Sequence, residues 1–330
     1  MQRVKEAKNS SKNLVVSVSP HLRGKMTTMR IMWETILSLS PAVIVGIYIF
    51  GVAALSVILT VTISAILTEA LIQKSCRKKV TINDGSAALT GILLSLTLPP
   101  GVPLWLAGVG GVIAISLGKQ VFGGLGKNPF NPALVGRAVL LISFPEQMTT
   151  WRKPAPGIFN IDAVSTATPL GILKEEGASI AEVEVSLLDA FLGNISGSIG
   201  EVSAIALIAG ATFLLIRGHI SAEIPISFVA TVMLFTIPFW LHNPENYASP
   251  VFHLLTGGLL LGAFFMATDM VTTPLLRKGK LIFGIGCGLL TALIRLFGGI
   301  PEGVLFSILI MNGTTPLIDR YTRPRYGRKK

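Results

Sequence analysis

Apolar residues occur along the chain in long runs that short polar and basic stretches separate. The runs lie near residues 31–50, 52–72, 86–98, 102–118, 131–145, 202–217, 222–241, 251–269, 281–298 and 302–318. A helix that crosses a bilayer needs about 20 apolar residues, and most of these runs approach that length. The pattern predicts an all-α polytopic membrane protein with about ten transmembrane segments.

Some of these segments are short or interrupted. Residues 99–101, Pro-Pro-Gly, end the third segment, and residues 298–301 separate the ninth segment from the tenth. The third, fifth and tenth segments are short for helices that span a membrane. Broken helices are tolerated at membrane depth only where protein or a cavity covers the freed backbone groups.

The composition agrees with a membrane protein and excludes several other classes. Hydrophobic residues make up 51% of the 330 residues and charged residues only 14%, whereas about a quarter of an ordinary soluble domain is charged. The mean hydropathy is +0.67. The apolar content excludes a disordered chain, and the two cysteines are too few for a disulfide scaffold. The net charge of +11 lies in loops beside apolar segments, which argues against a nucleic-acid partner.

The basic residues predict the orientation of the chain, because cytoplasmic loops carry an excess of Lys and Arg. With the basic segment 1–30 in the cytoplasm, only Arg152, Lys153 and Lys174 fall in outer loops. The basic tail 319–330 is then cytoplasmic too. Because the first apolar run begins late, the sequence predicts no cleavable signal peptide.

One long outer loop, residues 146–201, divides the membrane domain into two halves of five segments, 31–145 and 202–318. The loop is acidic and rich in Gly, Ser, Thr and Pro. Loops longer than about 15 residues are usually functional or disordered. We therefore examine this loop for functional motifs.

The two halves carry related motifs in the same order. The matched positions are 89–94 with 255–260, 122–124 with 297–299, and Asn128 and Pro132 with Asn312 and Pro316. With five segments in each half, the second half enters the membrane from the opposite side. The sequence therefore predicts an inverted repeat, as many transporters have. The alternative is chance similarity between apolar Gly-rich segments.

A polar motif, residues 165–169 (Ser-Thr-Ala-Thr-Pro), lies in the outer loop three residues after Asp162. Taken alone, it predicts the start of a helix, with a Ser or Thr cap and Pro at the first helical position. Composition and spacing by themselves indicate no chemistry here.

In its context, the motif resembles a known one. Residues 162–168 (DAVSTAT) resemble the flavinylation motif in which FMN is joined through its phosphate to a threonine hydroxyl. Nearly the whole chain resembles the D subunits of the Rnf ferredoxin:NAD oxidoreductase complex and, more distantly, the B subunits of the sodium-pumping NADH:quinone reductase. The segments that carry the resemblance are 84–91, 98–100, 122–137 and 266–269.

The resemblance implies a covalent FMN on Thr168, because the family pattern places the modified threonine directly before proline. The family commonly has glycine where Thr166 stands, so this chain carries a second hydroxyl there. A separate flavin transferase would recognise Asp162, Ser165 and the residues up to Thr168. The phosphoester retains the flavin through redox cycles, and the flavin supplies one- or two-electron chemistry.

The glycine-rich run 123–131 differs from a nucleotide-binding phosphate loop. Val121 stands where the first Gly of that motif belongs, and Asn128 replaces the Ser or Thr after Lys127. The residues alone predict a re-entrant turn. The resemblance implies a non-covalent riboflavin near this region, whose polar edge the amides of Asn128 and Asn131 could bind. Their spacing puts them on one face if the turn is helical, and the alternative is a capping role.

Charged residues inside apolar segments are further candidates, namely Glu34, Glu69, Glu223, Asp269, Arg137 and Arg295. A charge near the bilayer centre costs about 2.5–3.5 kcal/mol, so such residues are usually paired or functional. Most of them lie near a segment end, where an interfacial position or a structural ion pair is the simpler interpretation. Asp269 could bind a cation or a flavin. The cysteines and histidines have no metal-ligand spacing, so we predict neither a metal site nor a catalytic residue.

The resemblance implies an electron-transfer subunit that is inactive alone. Electrons would reach the FMN from a second covalent-flavin subunit and leave towards an NAD-reducing subunit, coupled to export of Na⁺ or H⁺. The resemblance also implies a multi-pass protein of a bacterial or archaeal cytoplasmic membrane. Inverted repeats and broken helices alone favour a solute channel or secondary transporter instead, and a passive membrane scaffold is a third alternative. A bound flavin separates the first function from the other two.

Overall fold

The computed structural model describes residues 26–154, 157, 165–166, 168–171, 187–201, 203–299 and 303–324. Its helices are α1 (Thr28–Ser75), α2 (Ser86–Thr97), α3 (Leu104–Ile115), α4 (Pro132–Ser143), α5 (Pro145–Thr149), α6 (Leu187–Leu192), α7 (Ala204–Ile216), α8 (Glu223–His242), α9 (Pro250–Leu255), α10 (Leu259–Leu261), α11 (Arg277–Phe297) and α12 (Val304–Thr322). A 3₁₀ turn (Ile82–Asp84), two π-helical turns (Ser116–Gln120 and Gly262–Met266) and a helical turn at residues 169–171 complete the helical structure. Two short antiparallel strands, β1 (Trp151–Arg152) and β2 (Ser165–Thr166), pair in the outer loop.

Every predicted apolar segment contains helix, which agrees with a helical membrane protein. Three helices, α1, α8 and α11, are long and apolar enough to cross a membrane. The helices α2, α3, α4 and α7 are apolar but shorter. Ten crossings and the inverted repeat remain predictions.

The first two predicted segments form one element, α1, which reverses its direction at Gly51. Its φ of 62° and ψ of −145° break the helix, and a positive φ is readily adopted only by glycine. Before the break, Trp33 donates to the carbonyl of Asn83 at 3.4 Å. After it, Gln73 donates to the hydroxyl of Thr81 at 2.9 Å. Both arms reach the same loop, so α1 is a helical hairpin.

Two arginines satisfy carbonyls that interrupted helices leave free. The eighth predicted segment is broken between α9 and α10, and the guanidinium of Arg295 on α11 donates to the carbonyls of His253 (2.5 Å) and Thr256 (3.1 Å) there. Arg137 on α4 donates to the carbonyl of Thr97 at the end of α2. Backbone groups need such partners inside a membrane protein. The structural interpretation therefore fits both arginines.

The elements define two ends of the helix bundle. Ile31, Ser86 and Asp269 line a cavity at one end, which we call the inner end because the sequence predicts it to be cytoplasmic. Thr97 and Glu201 line a cavity at the other, outer end. The helix α2 runs from the inner end to the outer end, whereas the eighth segment runs from the outer end to Asp269. These two segments carry the matched Leu-Thr-Gly motifs, and their opposite directions are what an inverted repeat requires.

The two halves also meet through a pair of asparagines at equivalent positions, Asn131 before α4 and Asn312 in α12. The backbone N–H of Asn131 donates to Oδ1 of Asn312 at 3.2 Å. The amide nitrogen of Asn312 donates to the carbonyl of Thr272 at 3.3 Å. Both asparagines are buried, so this contact joins the halves inside the bundle.

Candidate functional site

Thr168 begins the short helical turn in the outer loop. Its hydroxyl accepts a hydrogen bond from the backbone N–H of Gly171 at 3.0 Å, and Pro169 occupies the first helical position. The helix start that the sequence predicts is confirmed. The Thr168 side chain is only 8% exposed. Ser165 lies in β2, and Asp162 lies outside the described residues.

A small cavity, of about 310 Å³ including its open mouth, lies beside Thr168 at the outer end. Its lining includes Thr168, Leu170, Glu201, Thr256 and Gly257. Three parts of the chain meet there: the helical turn after Thr168, the end of the outer loop, and the break in the eighth segment. The threonine hydroxyl therefore borders an internal space.

Two adjacent glycines allow this packing. Gly257 and Gly258 have positive φ angles of 64° and 57°. A Cβ atom on Gly257 would collide with the side chain of Leu170, and one on Gly258 would lie 2.5 Å from Oε1 of Glu201. The sequence indicated these glycines only as part of a repeat. Their role in positioning the helical turn after Thr168 was missed, because it depends on contacts between distant parts of the chain.

A larger cavity, of about 770 Å³ including its open mouth, lies at the inner end. The three residues that the sequence suggests for a non-covalent site, Asn128, Asn131 and Asp269, all line it. Lys119 and His219 line it as well. Ligand pockets are mostly apolar with a few polar groups that fix orientation, and the lining of the inner cavity has this character.

The glycine-rich run forms an irregular turn, residues 121–130, that brings Asn128 to the inner cavity. Gly123 and Gly124 have positive φ angles of 111° and 100°, and the predicted turn is confirmed. The turn is not helical. Asn128 and Asn131 therefore do not share a helix face, and they reach the cavity from the turn and from the start of α4.

Asn131 uses its whole amide for structure. Its Oδ1 accepts from the backbone N–H groups of Ala133 (3.0 Å) and Leu134 (3.4 Å), which caps α4. Its Nδ2 donates to the carbonyl of Met266 at 3.2 Å. The capping alternative therefore fits Asn131, which also joins α4 to the π-helical turn of the eighth segment.

Asn128 keeps an acceptor for a ligand. Its Nδ2 donates to the carbonyl of Phe130 at 3.1 Å, while its Oδ1 is buried and has no hydrogen-bond partner among the described residues. A buried polar atom without a partner costs about 1–3 kcal/mol. An N–H or O–H group of a ligand in the cavity would remove that cost.

The charges around the inner cavity differ in their pairing. Lys119 and Glu69 form an ion pair at 2.8 Å, and each side chain is only 1% exposed. Asp269 accepts weak hydrogen bonds from the N–H of Val271 (3.3 Å) and the hydroxyl of Thr272 (3.5 Å). Within the described ranges it forms no ion pair. Its carboxylate thus adds a second acceptor to the site of Asn128.

The other intramembrane acids are paired. Glu34 contacts Arg217 at 2.5 Å, and Glu223 contacts Arg277 at 3.4 Å. No group of three or more His, Cys, Asp or Glu side chains that could hold a metal occurs in the described part of the chain. Asp269 therefore remains the intramembrane charge that a structural role does not explain.

The helix α2 runs between the inner and the outer end of the bundle. Ser86 at its start lines the inner cavity, and Thr97 at its end lies beside Arg137 and Glu201 near the outer cavity. At 1.5 Å per residue, the helix separates them by roughly 17 Å. The candidate residues therefore form two sites at opposite ends of the bundle.

Comparisons with known proteins agree over nearly the whole chain. A model described as the NQR2, RnfD, RnfE family matches residues 15–327. The chain is 47% identical to the D subunit of the proton-translocating ferredoxin:NAD(+) oxidoreductase complex of Clostridium ljungdahlii, over 98% of this chain and 99% of the relative. It is 46% identical to the D subunit of the Na(+)-translocating ferredoxin:NAD(+) oxidoreductase complex of Acetobacterium woodii, over 96% of each. It is 40% identical to the D subunit of the ion-translocating oxidoreductase complex of Escherichia coli strain K12, over 96% and 99%.

Proposed function

The chain belongs to the NQR2, RnfD, RnfE family, and we propose that it is a flavin-carrying electron-transfer subunit of an ion-translocating ferredoxin:NAD oxidoreductase complex. Relatives that match nearly its full length are named as D subunits of such complexes. Two of them are named for different ions, H⁺ and Na⁺, so the proposal is ion translocation by the assembled complex. The chain is inactive alone, because the sites for ferredoxin and NAD lie on its partners.

At the outer end, the proposal places FMN on Thr168 through a phosphoester. The position of the threonine supports this assignment, since its hydroxyl stands directly before Pro169 and borders a cavity. A covalent link needs no cradle of basic groups for the phosphate, and the outer loop has more acidic than basic residues. Asp162 and Ser165 would serve the flavin transferase as recognition residues.

At the inner end, the proposal places a non-covalent riboflavin against Asn128. The unpartnered Oδ1 of Asn128 supports this site, because a flavin ring carries an N–H group that it can bind. Asp269 offers a second acceptor, suited to a hydroxyl of the ribityl chain. Asn131 acts as a positioning residue that holds the start of α4.

The route of electrons follows from the two sites. Electrons enter from a second covalent-flavin subunit at the outer end, cross along the bundle, and leave from the inner end to an NAD-reducing subunit. The observation that carries this proposal is that Thr168 and Asn128 line cavities at opposite ends of the helix bundle. With both termini in the cytoplasm of a bacterial or archaeal cell, Thr168 faces outwards.

A second candidate function is an inverted-repeat channel or secondary transporter without a redox role. The interrupted eighth segment and its direction opposite to α2 favour it, because transporters bind substrates at broken helices between repeats. In that case the inner cavity holds a solute, and the purified chain contains no flavin.

Fluorescence of the denatured chain after gel electrophoresis tests the main proposal. The chain is expressed together with a flavin transferase, and only a covalent flavin stays with it. We expect fluorescence from the wild type and from Thr166→Ala, a control that removes a hydroxyl two residues away, but none from Thr168→Ala. Fluorescence in Thr168→Ala would refute the attachment site. A wild-type chain with neither covalent nor releasable flavin would favour the transporter.

A further inference from the structure

His219 is a titratable residue of the inner cavity that the proposed electron transfer does not use. It lines the cavity together with Asn128 and Asp269. Gly218, with a φ of 69°, turns the chain after α7, and the backbone N–H of His219 donates to the carbonyl of Leu214 at 3.0 Å. The backbone therefore holds the imidazole at the cavity wall.

Glu34 anchors one side of this imidazole. Its carboxylate contacts Nε2 of His219 and also accepts from Arg217 (3.0 Å) and Arg30 (2.8 Å). An ionised carboxylate only accepts hydrogen bonds, so Nε2 carries the proton in this contact. The other ring nitrogen, Nδ1, makes no hydrogen bond to any described residue. Proton exchange at His219 therefore takes place at Nδ1.

The other charged groups near His219 differ in their pairing. Arg30 and Arg217 both contact the carboxylate of Glu34, and the charge of Lys119 on the cavity wall is balanced by Glu69. Asp269 lines the same cavity, and its carboxylate accepts hydrogen bonds from the N–H of Val271 and the hydroxyl of Thr272. Histidine is the side chain whose ordinary pKa lies between pH 5 and 8.

We propose that His219 is the redox-linked proton site of the inner cavity. When the flavin beside Asn128 gains one electron from the outer flavin, Nδ1 of His219 binds one proton from water at the inner face, and it releases that proton when the electron leaves. The physical reason is that added negative charge close to an imidazole favours its protonated form. The inference rests on the proposed riboflavin site, which it extends by naming the group that compensates the charge.

The test is the pH dependence of the midpoint potential of the non-covalent flavin, measured by spectroelectrochemistry between about pH 5 and 8. A Thr168→Ala background removes the covalent flavin from the full-length chain. His219→Gln keeps an amide donor towards Glu34 but does not titrate, and His242→Gln is the control, because His242 is exposed at the other end of α8. We expect the midpoint potential to fall with rising pH in the background and the control, and to fall less steeply in His219→Gln, where only the protons taken up by the flavin ring itself remain. An unchanged dependence in His219→Gln overturns the proposal.

A second variant, Glu34→Gln, keeps the imidazole and removes the anion that favours its protonated form. We expect the midpoint potential of the flavin to begin its change at lower pH in this variant. A midpoint potential with the same pH dependence as the background overturns the proposal, even if His219→Gln fails to retain flavin. Loss of flavin from both variants overturns the proton role and leaves the two residues as binding groups. Flavin released on denaturation is measured separately. If the background chain releases none, the inner flavin site itself fails, while the gel result for Thr168 stands independently.

Discussion

Asn128 and Asn131 lie three positions apart and line the same cavity, but their amides differ in what they can still bind. The amide of Asn131 is occupied by α4 and by Met266. Asn128 has a buried oxygen without a partner in the described structure. The sequence indicated both residues equally, because their roles depend on Met266 and Asn312, which lie more than a hundred residues away.

We expect alanine to lower thermal stability at position 131 and flavin content at position 128. Asn131→Ala removes a helix cap, which costs about 0.5–2 kcal/mol, and leaves buried groups unpaired, so its melting temperature in detergent should fall. Asn128→Ala loses a single hydrogen bond to Phe130 and should melt near the wild-type temperature, but with less releasable flavin per chain. Full flavin content in Asn128→Ala would contradict the binding role of its oxygen.

At the scale of elements, the break between α9 and α10 positions the helical turn that carries Thr168. We expect Gly257→Ala to displace Leu170 and to lower the yield of covalent flavin, because its methyl group would occupy the space of that side chain. A residue with a side chain at positive φ also costs about 1–3 kcal/mol. Gly299→Ala is the control, since a Cβ atom there meets nothing within 4 Å. Gel fluorescence per chain measures the yield of covalent flavin. Equal yields in both variants would contradict the role of Gly257 in positioning the helical turn after Thr168.

The sequence predicts the elements better than their contacts. Every predicted apolar run contains helix, and residues 99–101 end a helix where the sequence predicts it. The helix Leu187–Leu192 in the outer loop was not predicted. The collision between Gly257 and Leu170 was not predictable, because local hydrophobicity and turn chemistry do not indicate which distant segments meet. The π-helical turns of the fourth and eighth segments were missed for the same reason, since tertiary packing decides where an apolar helix widens.

At the scale of the whole molecule, the basic loops predict which end faces the cytoplasm, and Cys76 allows a test. Cys76 is exposed in the loop after α1 at the inner end, whereas Cys287 is buried in α11. We expect a membrane-impermeant thiol reagent to label the chain in inverted vesicles but not in intact cells. Cys76→Ser should abolish the labelling. Labelling of Cys76 in intact cells would reverse the predicted orientation and place Thr168 on the cytoplasmic side.

The sequence predicts only in part that the two candidate sites lie at opposite ends of the molecule. Charge patterning predicts the side of each loop, and it separates Thr168 from Asn128. The gathering of Asn128, Asp269 and His219 around one cavity required the folded chain, because they come from three separate segments. Both halves of the chain contribute to that cavity, as the predicted inverted repeat requires.

The intact mass of the purified chain, followed by mapping of the peptide that contains Thr168, tests the central claim most directly. We predict the 35.1 kDa sequence mass increased by one FMN joined with loss of water, with the added mass on Thr168. We also predict the bare mass for Thr168→Ala. The bare mass in wild-type chain made together with the transferase, or the added mass on another residue, would contradict the account.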